Sequence, residues 1–424
     1  MSPTSGPKKQ YTVIDADSHV LEPQAVWDMY LEREYRVVAR SWFWHEVDEV
    51  GPHTILNGRP APELPSHNIP RYAIWKPGMT PDDVGRLDPG ARHAVNPGAS
   101  DARKRLKDMD AMGVDKALLF PTMFGEYFPL VENPDVAWAL ARAYNAWVRE
   151  FAKAAPERLI PAAVLPLQDV GFAVREARRV AALGFRAVTI RPVFVNGHFP
   201  SDAYYRPLLA ALEELGLLAC IHPAAGPAAK EMDSNSAFIE RVTGNLNLGH
   251  PVAEFIAPAM DNATFLIAFM SDGLWEKFPK LKVAFVHSGI AWLPLALEKA
   301  ETYLWLSNQE DPVSLNPEGV FEHRQNAVTF SAGDSSVRRM PEVFAQAGAW
   351  GSRYPNHDAA SATEAIADLQ AGKVAEATIA ALMGGNIAKL LGGARAGAKA
   401  KAVTKKATTV KKATTKRKVA AGKR

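Results

Sequence analysis

Short apolar runs and amphipathic stretches alternate along most of this chain. From Val13 onward the runs TVIDA, KALLFPT, IPAAVLPL, RAVTIRP, LLACIH, VAFVHSG, AVTFSAG and GAWGSR follow one another, eight in all. Between them lie stretches such as NPDVAWALARAYNAWVREFAKA, VGFAVREARRVAAL and YYRPLLAALEELG, with apolar residues three and four positions apart and a Gly or Pro near the close. The short runs predict strands and the longer stretches helices. Strands alternating with helices imply a parallel sheet with right-handed crossovers, and eight such units predict a closed (β/α)8 TIM barrel of the metal-dependent hydrolase type. An open doubly wound sheet is the alternative. It is weakened because no Gly-x-Gly-x-x-Gly follows the first strand.

Residues 33–100 break the rhythm. VVARSWFWHEVDEVGPHTILNGRPAP reads as a small antiparallel meander with a tight turn at Asn57-Gly58, followed by a long Pro- and Gly-rich loop. An insertion after the first strand lies on the C-terminal rim, where it covers the mouth of the barrel or pairs with a second subunit, giving a homodimer or larger homo-oligomer. The expected organisation is an arm at 1–10, a barrel at 11–393 and a tail at 394–424.

Charge sharpens the last boundary. The net charge of +3 hides an asymmetry, since Arg395–Arg424 holds twelve of the 49 Lys and Arg and no Asp or Glu, leaving 37 basic against 46 acidic residues elsewhere. A segment reading KKATTVKKATTKRK has almost nothing to bury and is expected to be disordered. Such a tail either makes nonspecific contact with nucleic acid or another polyanion, or stays solvated without a single partner. The N-terminus lacks an apolar h-region and no apolar run approaches the length of a membrane span, so a cytoplasmic protein with no membrane span is expected. The lone Cys220 excludes an intramolecular disulfide and reads as a buried, inert thiol.

Chemistry in such a barrel sits where strands end. The first strand carries DADSH, with Asp15, Asp17 and His19 at alternate positions, which puts them on one face of extended backbone. Later strand ends present Arg191, His222, His287, Ser331 with Asp334, and Arg353. Asp17, His19 and His222 are plausible ligands for Zn²⁺ or Mn²⁺, with His287 opposite them as acid/base. Any one histidine alone would read as a satisfied core residue, but three at strand ends beside an aspartate form a constellation. His250, in LGHP, opens a helix or contacts substrate.

With these residues in place, the chain resembles the amidohydrolase-related family, in the branch typified by aminocarboxymuconate-semialdehyde decarboxylase and the resorcylate and dihydroxybenzoate decarboxylases. The carriers are VIDADSHVLEP, RLKDMDAMGVDKALLFPT, RLIPAAVLPLQD, LGFRAVTIRP, CIHPAAG, FPKLKVAFVHSGIAWLP and GGNIAKLLG, across roughly residues 11 to 393. The resemblance implies a metal-dependent decarboxylase or hydrolase acting on a small organic acid, aromatic or unsaturated. It places metal ligands at Asp17, His19 and His222, and the catalytic histidine at His287. Arg191 would anchor a substrate carboxylate, and Tyr354 and His250 would contact substrate.

One motif departs from the pattern. Where relatives resemble Ser/Thr-Asp-Tyr-Pro-His, this chain reads Ser352-Arg353-Tyr354-Pro355-Asn356. A guanidinium cannot ligate a cation. Either the metal is lost, with Arg353 supplying positive charge and pairing with Asp17, or it is held by fewer ligands. A catalytically silent barrel, tethered to nucleic acid by its tail, is the alternative to an enzyme.

Overall fold

The computed structural model describes residues 11–47, 52–61, 73–86, 95–224, 232–248, 250–307 and 319–392. The N-terminal arm and the basic tail expected from the sequence lie outside these residues. Eight parallel strands form one sheet in the order β1 (Ile14–His19), β5 (Lys116–Phe120), β6 (Leu159–Val164), β7 (Ala187–Ile190), β8 (Leu218–Ile221), β9 (Lys282–Phe285), β10 (Gln325–Phe330) and β11 (Gly348–Trp350). Each coincides with one of the eight apolar runs. Ile14, Ala16, Leu118, Phe120, Ile160, Ala162, Ala187, Leu218, Cys220, Ala284, Ala327 and Ala349 form one buried cluster with contributions from all eight strands. This is the barrel interior, and Ile387, Leu390 and Leu391 of the closing helix join it.

The seam between the first and last strands is closed by the segment following β11. Arg353 N–H donates to Asp17 O (2.8 Å) and His19 N–H to Tyr354 O (2.6 Å). Gly351 permits the approach, because a Cβ there would sit 2.5 Å from the Asp17 Cβ. Helices fill the crossovers as their patterns predict. Asn133 caps the helix Pro134–Ala152 and Asp169 caps Val170–Ala182 through their side chains, satisfying N–H groups that have no partner inside the helix.

Within the insertion, the sequence expectation needs one correction. Arg36–Trp42 is a helix, so the predicted meander begins only at β2 (Phe43–Val47), which pairs antiparallel with β3 (Pro52–Leu56), itself paired with β4 (Arg59–Pro60). The β3–β4 turn is Asn57-Gly58, both at positive φ (50° and 75°), the geometry that favours Asn-Gly in two-residue hairpins. Asn57 Nδ2 also donates to Leu130 O (2.7 Å), fastening the hairpin to the loop beyond β5.

A second correction concerns membrane-span length. One helical stretch, Val252–Ser271, is long and apolar enough to cross a bilayer by length and composition. Within it, Asn262 Nδ2 donates to Val286 O (3.0 Å) and Asp261 accepts from Ser236 N–H (3.2 Å), so both polar side chains engage the fold around them.

Candidate active site and metal centre

The C-terminal ends of β1, β8 and β9 converge on one point. Asp17 and His19 lie in β1, His222 directly follows β8, and His287 comes just after β9. One donor atom from each of the four lies within 4.8 Å of the others. Asp17 Oδ1 is 3.4 Å from His19 Nε2 and 3.7 Å from His222 Nε2, and Asp17 Oδ2 is 3.8 Å from His287 Nδ1. The two Nε2 atoms of His19 and His222 are 3.3 Å apart.

Simple alternation along β1 does not produce this convergence. The β1–β5 register shifts between Asp15 and Ser18, so Ile14 and Ala16 face the interior while Asp17 and His19 reach the mouth, as a β-bulge allows. Asp15, expected on the same face, is diverted to the seam. Its carboxylate accepts from Ser352 N–H (2.8 Å) and Ser352 Oγ–H. Burial raises its pKa against those hydrogen bonds.

Backbone contacts decide what the imidazoles offer. His19 Nδ1 lies 3.0 Å from Pro121 O and His222 Nδ1 2.8 Å from Pro223 O. A carbonyl only accepts, so each Nδ1 carries the hydrogen and each Nε2 keeps its lone pair for the site. Asp17 Oδ1 is buried and has no hydrogen-bond partner among the described residues. Two ring lone pairs and a carboxylate oxygen thus face one another, an array that calls for positive charge. Burial pushes the Asp17 pKa up; where protons rather than an ion fill the space between these groups, hydrogen bonds from His19 and His222 and the field of His287 outweigh burial and hold the carboxyl well below the usual range. The donor set suits a divalent ion such as Zn²⁺ or Mn²⁺.

Arg353 is placed differently from the expectation that it pairs with Asp17. Its Nε is 2.6 Å from Asp358 Oδ2, and its Nη1 is 2.8 and 2.9 Å from Nδ1 and Nε2 of His287. It reaches Asp17 through its main-chain N–H. Burial would lower its pKa, but Asp358, Asp17 and Glu254 outweigh burial and raise it. His287 is pushed the other way, well below the ordinary histidine value, by burial first and then by Arg353. A neutral His287 accepts from Nη1 at one ring nitrogen and keeps its hydrogen on the other.

A cavity opens beside these groups, with Phe128, Leu165, Leu167 and Val195 on its apolar wall and His19, His222, His287, Arg191 and Arg353 among its polar lining. Arg191 is tied across the mouth, donating to Gly125 O (2.7 Å) and Ala224 O (3.3 Å). Tyr354 does not line the cavity: its hydroxyl donates to Asp108, and the Arg105 guanidinium lies 4.4 Å from its ring. His250 opens the helix His250–Ser271 as read from the sequence, and its side chain lies outside the described residues. Cys220 is buried, and burial raises its pKa, consistent with an inert thiol.

Sequence reasoning missed several groups here. Arg105 is fully buried and donates to Gly98 O (3.0 Å), Ser18 Oγ (3.2 Å) and His19 O, fixing the end of β1. Its signal was present, since Arg105, Met109 and Met112 occupy one buried stripe of the helix Ala102–Met112. Glu22 is also buried and accepts from Thr122 N–H (2.9 Å) and Phe124 N–H (3.3 Å). It thereby anchors the loop whose Pro121 carbonyl orients His19. Burial pushes its pKa up to about 7. Gln168 and Asn356 line the cavity with no sequence signal to distinguish them from surface amides.

An eight-stranded parallel barrel with an Asp/His cluster at its C-terminal mouth is the architecture of metal-dependent hydrolases and their relatives. Residues 14–393 match the sequence profile of the amidohydrolase family, and the chain belongs to that family. Gamma-resorcylate decarboxylase of Rhizobium radiobacter is 26% identical over 193 residues, which are 44% of this chain and 54% of that protein. The chain therefore spans about half the length of the curated relatives it matches. Among solved structures, an amidohydrolase from Mycobacterium avium subsp. paratuberculosis K-10 superposes with a TM-score of 0.73 at 22% identity, over 90% of this chain and 100% of that one. The 5-carboxyvanillate decarboxylase of Novosphingobium aromaticivorans DSM 12444, complexed with manganese and 4-hydroxy-3-methoxy-5-nitrobenzoic acid, superposes with a TM-score of 0.63 at 20% identity, over 91% of this chain and 97% of that one.

Proposed function

We propose that this chain is a metal-dependent carboxy-lyase that removes CO2 from a small aromatic carboxylic acid. One observation carries the reading: Asp17 Oδ1, His19 Nε2 and His222 Nε2 converge with both imidazole hydrogens committed to backbone carbonyls, directly beside an apolar slot. The gamma-resorcylate and 5-carboxyvanillate decarboxylases among its relatives support the same class. The retained donor set counts against a catalytically silent barrel.

Asp17, His19 and His222 would hold Zn²⁺ or Mn²⁺, which when bound supplies Lewis acidity that neutralises substrate anion charge. The chain's own groups do the rest. Phe128, Leu165 and Leu167 exclude water from the ring of the substrate and hold it flat. Arg353, already neutralised in part by Asp358, keeps His287 uncharged. As the bond from ring carbon to carboxylate breaks and CO2 departs, the electron pair left on that carbon takes a proton, and the uncharged His287 is the residue placed to relay it, giving up its N–H hydrogen as its other ring nitrogen takes one from solvent or a substrate hydroxyl. Arg191 lends positive charge to the cavity lining from its anchored position.

The test is CO2 release from Mn²⁺-loaded protein supplied with dihydroxybenzoates and 5-carboxyvanillate. His287→Asn should lower kcat by roughly 10²-fold or more, with substrate affinity changed little. Turnover unaffected by that substitution would remove His287 from the reaction. Hydrolysis of an ester or amide panel without any CO2 release would replace the lyase reading with a hydrolase.

A further inference from the structure

Two residues lining the cavity carry buried amide oxygens without a hydrogen-bond partner among the described residues. Gln168, in the loop after β6, is 4% exposed, and Asn356, in the loop after β11, is 5% exposed. Both line the cavity. Gln168 Oε1 and Asn356 Oδ1 have no hydrogen-bond partner among the described residues. Buried carbonyl oxygens of this kind cost free energy unless something donates to them.

The two are not equivalent. Gln168 Nε2 donates to Phe128 O (2.8 Å), which fixes the amide orientation and leaves Oε1 as the acceptor without a partner among the described residues. Among the described residues no such bond locks Asn356, whose amide can present either end. Around the barrel, β6 is third in strand order and β11 last, with β1 and β5 between them across the seam. The two amides therefore stand on separated sectors of the mouth.

We propose that Gln168 and Asn356 are specificity-determining residues that read polar substituents on two separated edges of the ligand ring, Gln168 demanding an O–H or N–H donor. This rests on the aromatic-acid reading above and adds to it the substituents the ring must carry. A ligand whose hydroxyls are capped as methyl ethers keeps its shape and carboxylate but leaves Gln168 Oε1 buried and unpaired. Rejection of such analogues is the physical basis of strong discrimination in sites built to bond a hydroxyl.

The experiment is calorimetric binding of 2,6-, 3,4- and 3,5-dihydroxybenzoate, each beside its dimethoxy counterpart, to Mn²⁺-loaded protein. CO2 release is followed separately. The wild type should bind at least one dihydroxy acid roughly tenfold or more tighter than its dimethoxy partner. In Gln168→Met, which retains side-chain length without an acceptor, that ratio should collapse toward one. Asn356→Leu should lower affinity for the preferred acid and change which isomer is preferred.

A ratio unchanged in Gln168→Met, with melting temperature near that of the wild type, overturns the proposal. So does a wild type that binds dimethoxy acids as tightly as dihydroxy acids, or binds none of the six. If Gln168→Met fails to fold, the wild-type ratios and Asn356→Leu decide the matter by the same criteria. A collapsed ratio without CO2 release supports the recognition and removes only the lyase reaction, whereas CO2 release with an unchanged ratio does the reverse.

Discussion

Arg353 Nη1 lies 2.8 and 2.9 Å from the two ring nitrogens of His287, and both residues hold their backbones in the left-handed region, at φ 59° and 60°. That conformation costs an L-residue with a side chain about 1 kcal/mol or more. Two such residues in contact at strand ends require support from their surroundings. Asp358 supplies it on the outer side of the guanidinium, and the main-chain bond to Asp17 supplies it from β1. The cation at the mouth is thus part of the scaffold that positions His287.

Replacing that cation tests the arrangement. Arg353→Met should leave Asp358 without its partner and His287 without its donor, lowering stability by roughly 1–3 kcal/mol in urea or thermal unfolding. Turnover should fall further than the loss of stability explains. Arg353→Lys should recover only part of either property, because a point charge cannot serve Asp358 and His287 at once as a planar guanidinium does. A Met variant as stable and active as the wild type would show that the contact is incidental.

Metal binding should be visible without any substrate. Titrating Mn²⁺ or Zn²⁺ into chelator-treated protein should raise the melting temperature, since a ligand of the folded state stabilises it by about 2.7 kcal/mol when its concentration is a hundred times its Kd. Asp17→Ala should abolish the shift, and His19→Ala should weaken it strongly. If Arg353 has displaced the ion, the wild type will show no shift and hold well under one equivalent of metal.

The seam behind Asp17 has no room to spare. In Gly351→Ala the added carbon meets the Asp17 Cβ at 2.5 Å, so β1 must move, at a cost of about 1–3 kcal/mol. Because Asp17 is also a proposed ligand, metal affinity should drop by about tenfold or more, as when groups supporting a ligand are disturbed. Undiminished affinity, read from the same metal titration, would mean that the displacement is absorbed by β11.

Asp261 makes stability depend on pH. Burial, opposed by hydrogen bonding from Ser236 and by the Arg191 charge, raises its pKa from 3.8 to about 6. Between those values the folded state binds a proton that the unfolded state has released, so this component of stability falls as pH rises through the window and is flat above it. Asp261→Asn mimics the protonated form. It should match the wild type near pH 3.5 and exceed it by up to roughly 3 kcal/mol at pH 7. Equal stabilities at both pH values would show that the carboxyl titrates normally.

The basic segment beyond the barrel can be tested on its charge alone. Truncation after Gly393 removes twelve Lys and Arg. It should abolish salt-sensitive binding to DNA or heparin while leaving the melting temperature within a degree or two. Retained polyanion binding would locate that affinity on the barrel.

The sequence by itself determined the eight strands, the helices between them, the Asn57-Gly58 hairpin and the strand-end residues Asp17, His19, His222 and His287. These were legible because burial on a strand or helix repeats with a short local period, and because strand ends in a parallel barrel share one rim. Tertiary structure alone decided the chemistry of that rim. Asp15 is held apart from Asp17 by Ser352, 337 residues away, and the His19 tautomer depends on the Pro121 carbonyl of another loop. The partner of Arg353, the burial of Arg105 and the unsatisfied oxygens of Gln168 and Asn356 likewise arise from neighbours brought together only by closing the barrel. A side chain's hydrogen-bond partners and dielectric surroundings are properties of that three-dimensional neighbourhood, and no local pattern along the chain encodes them.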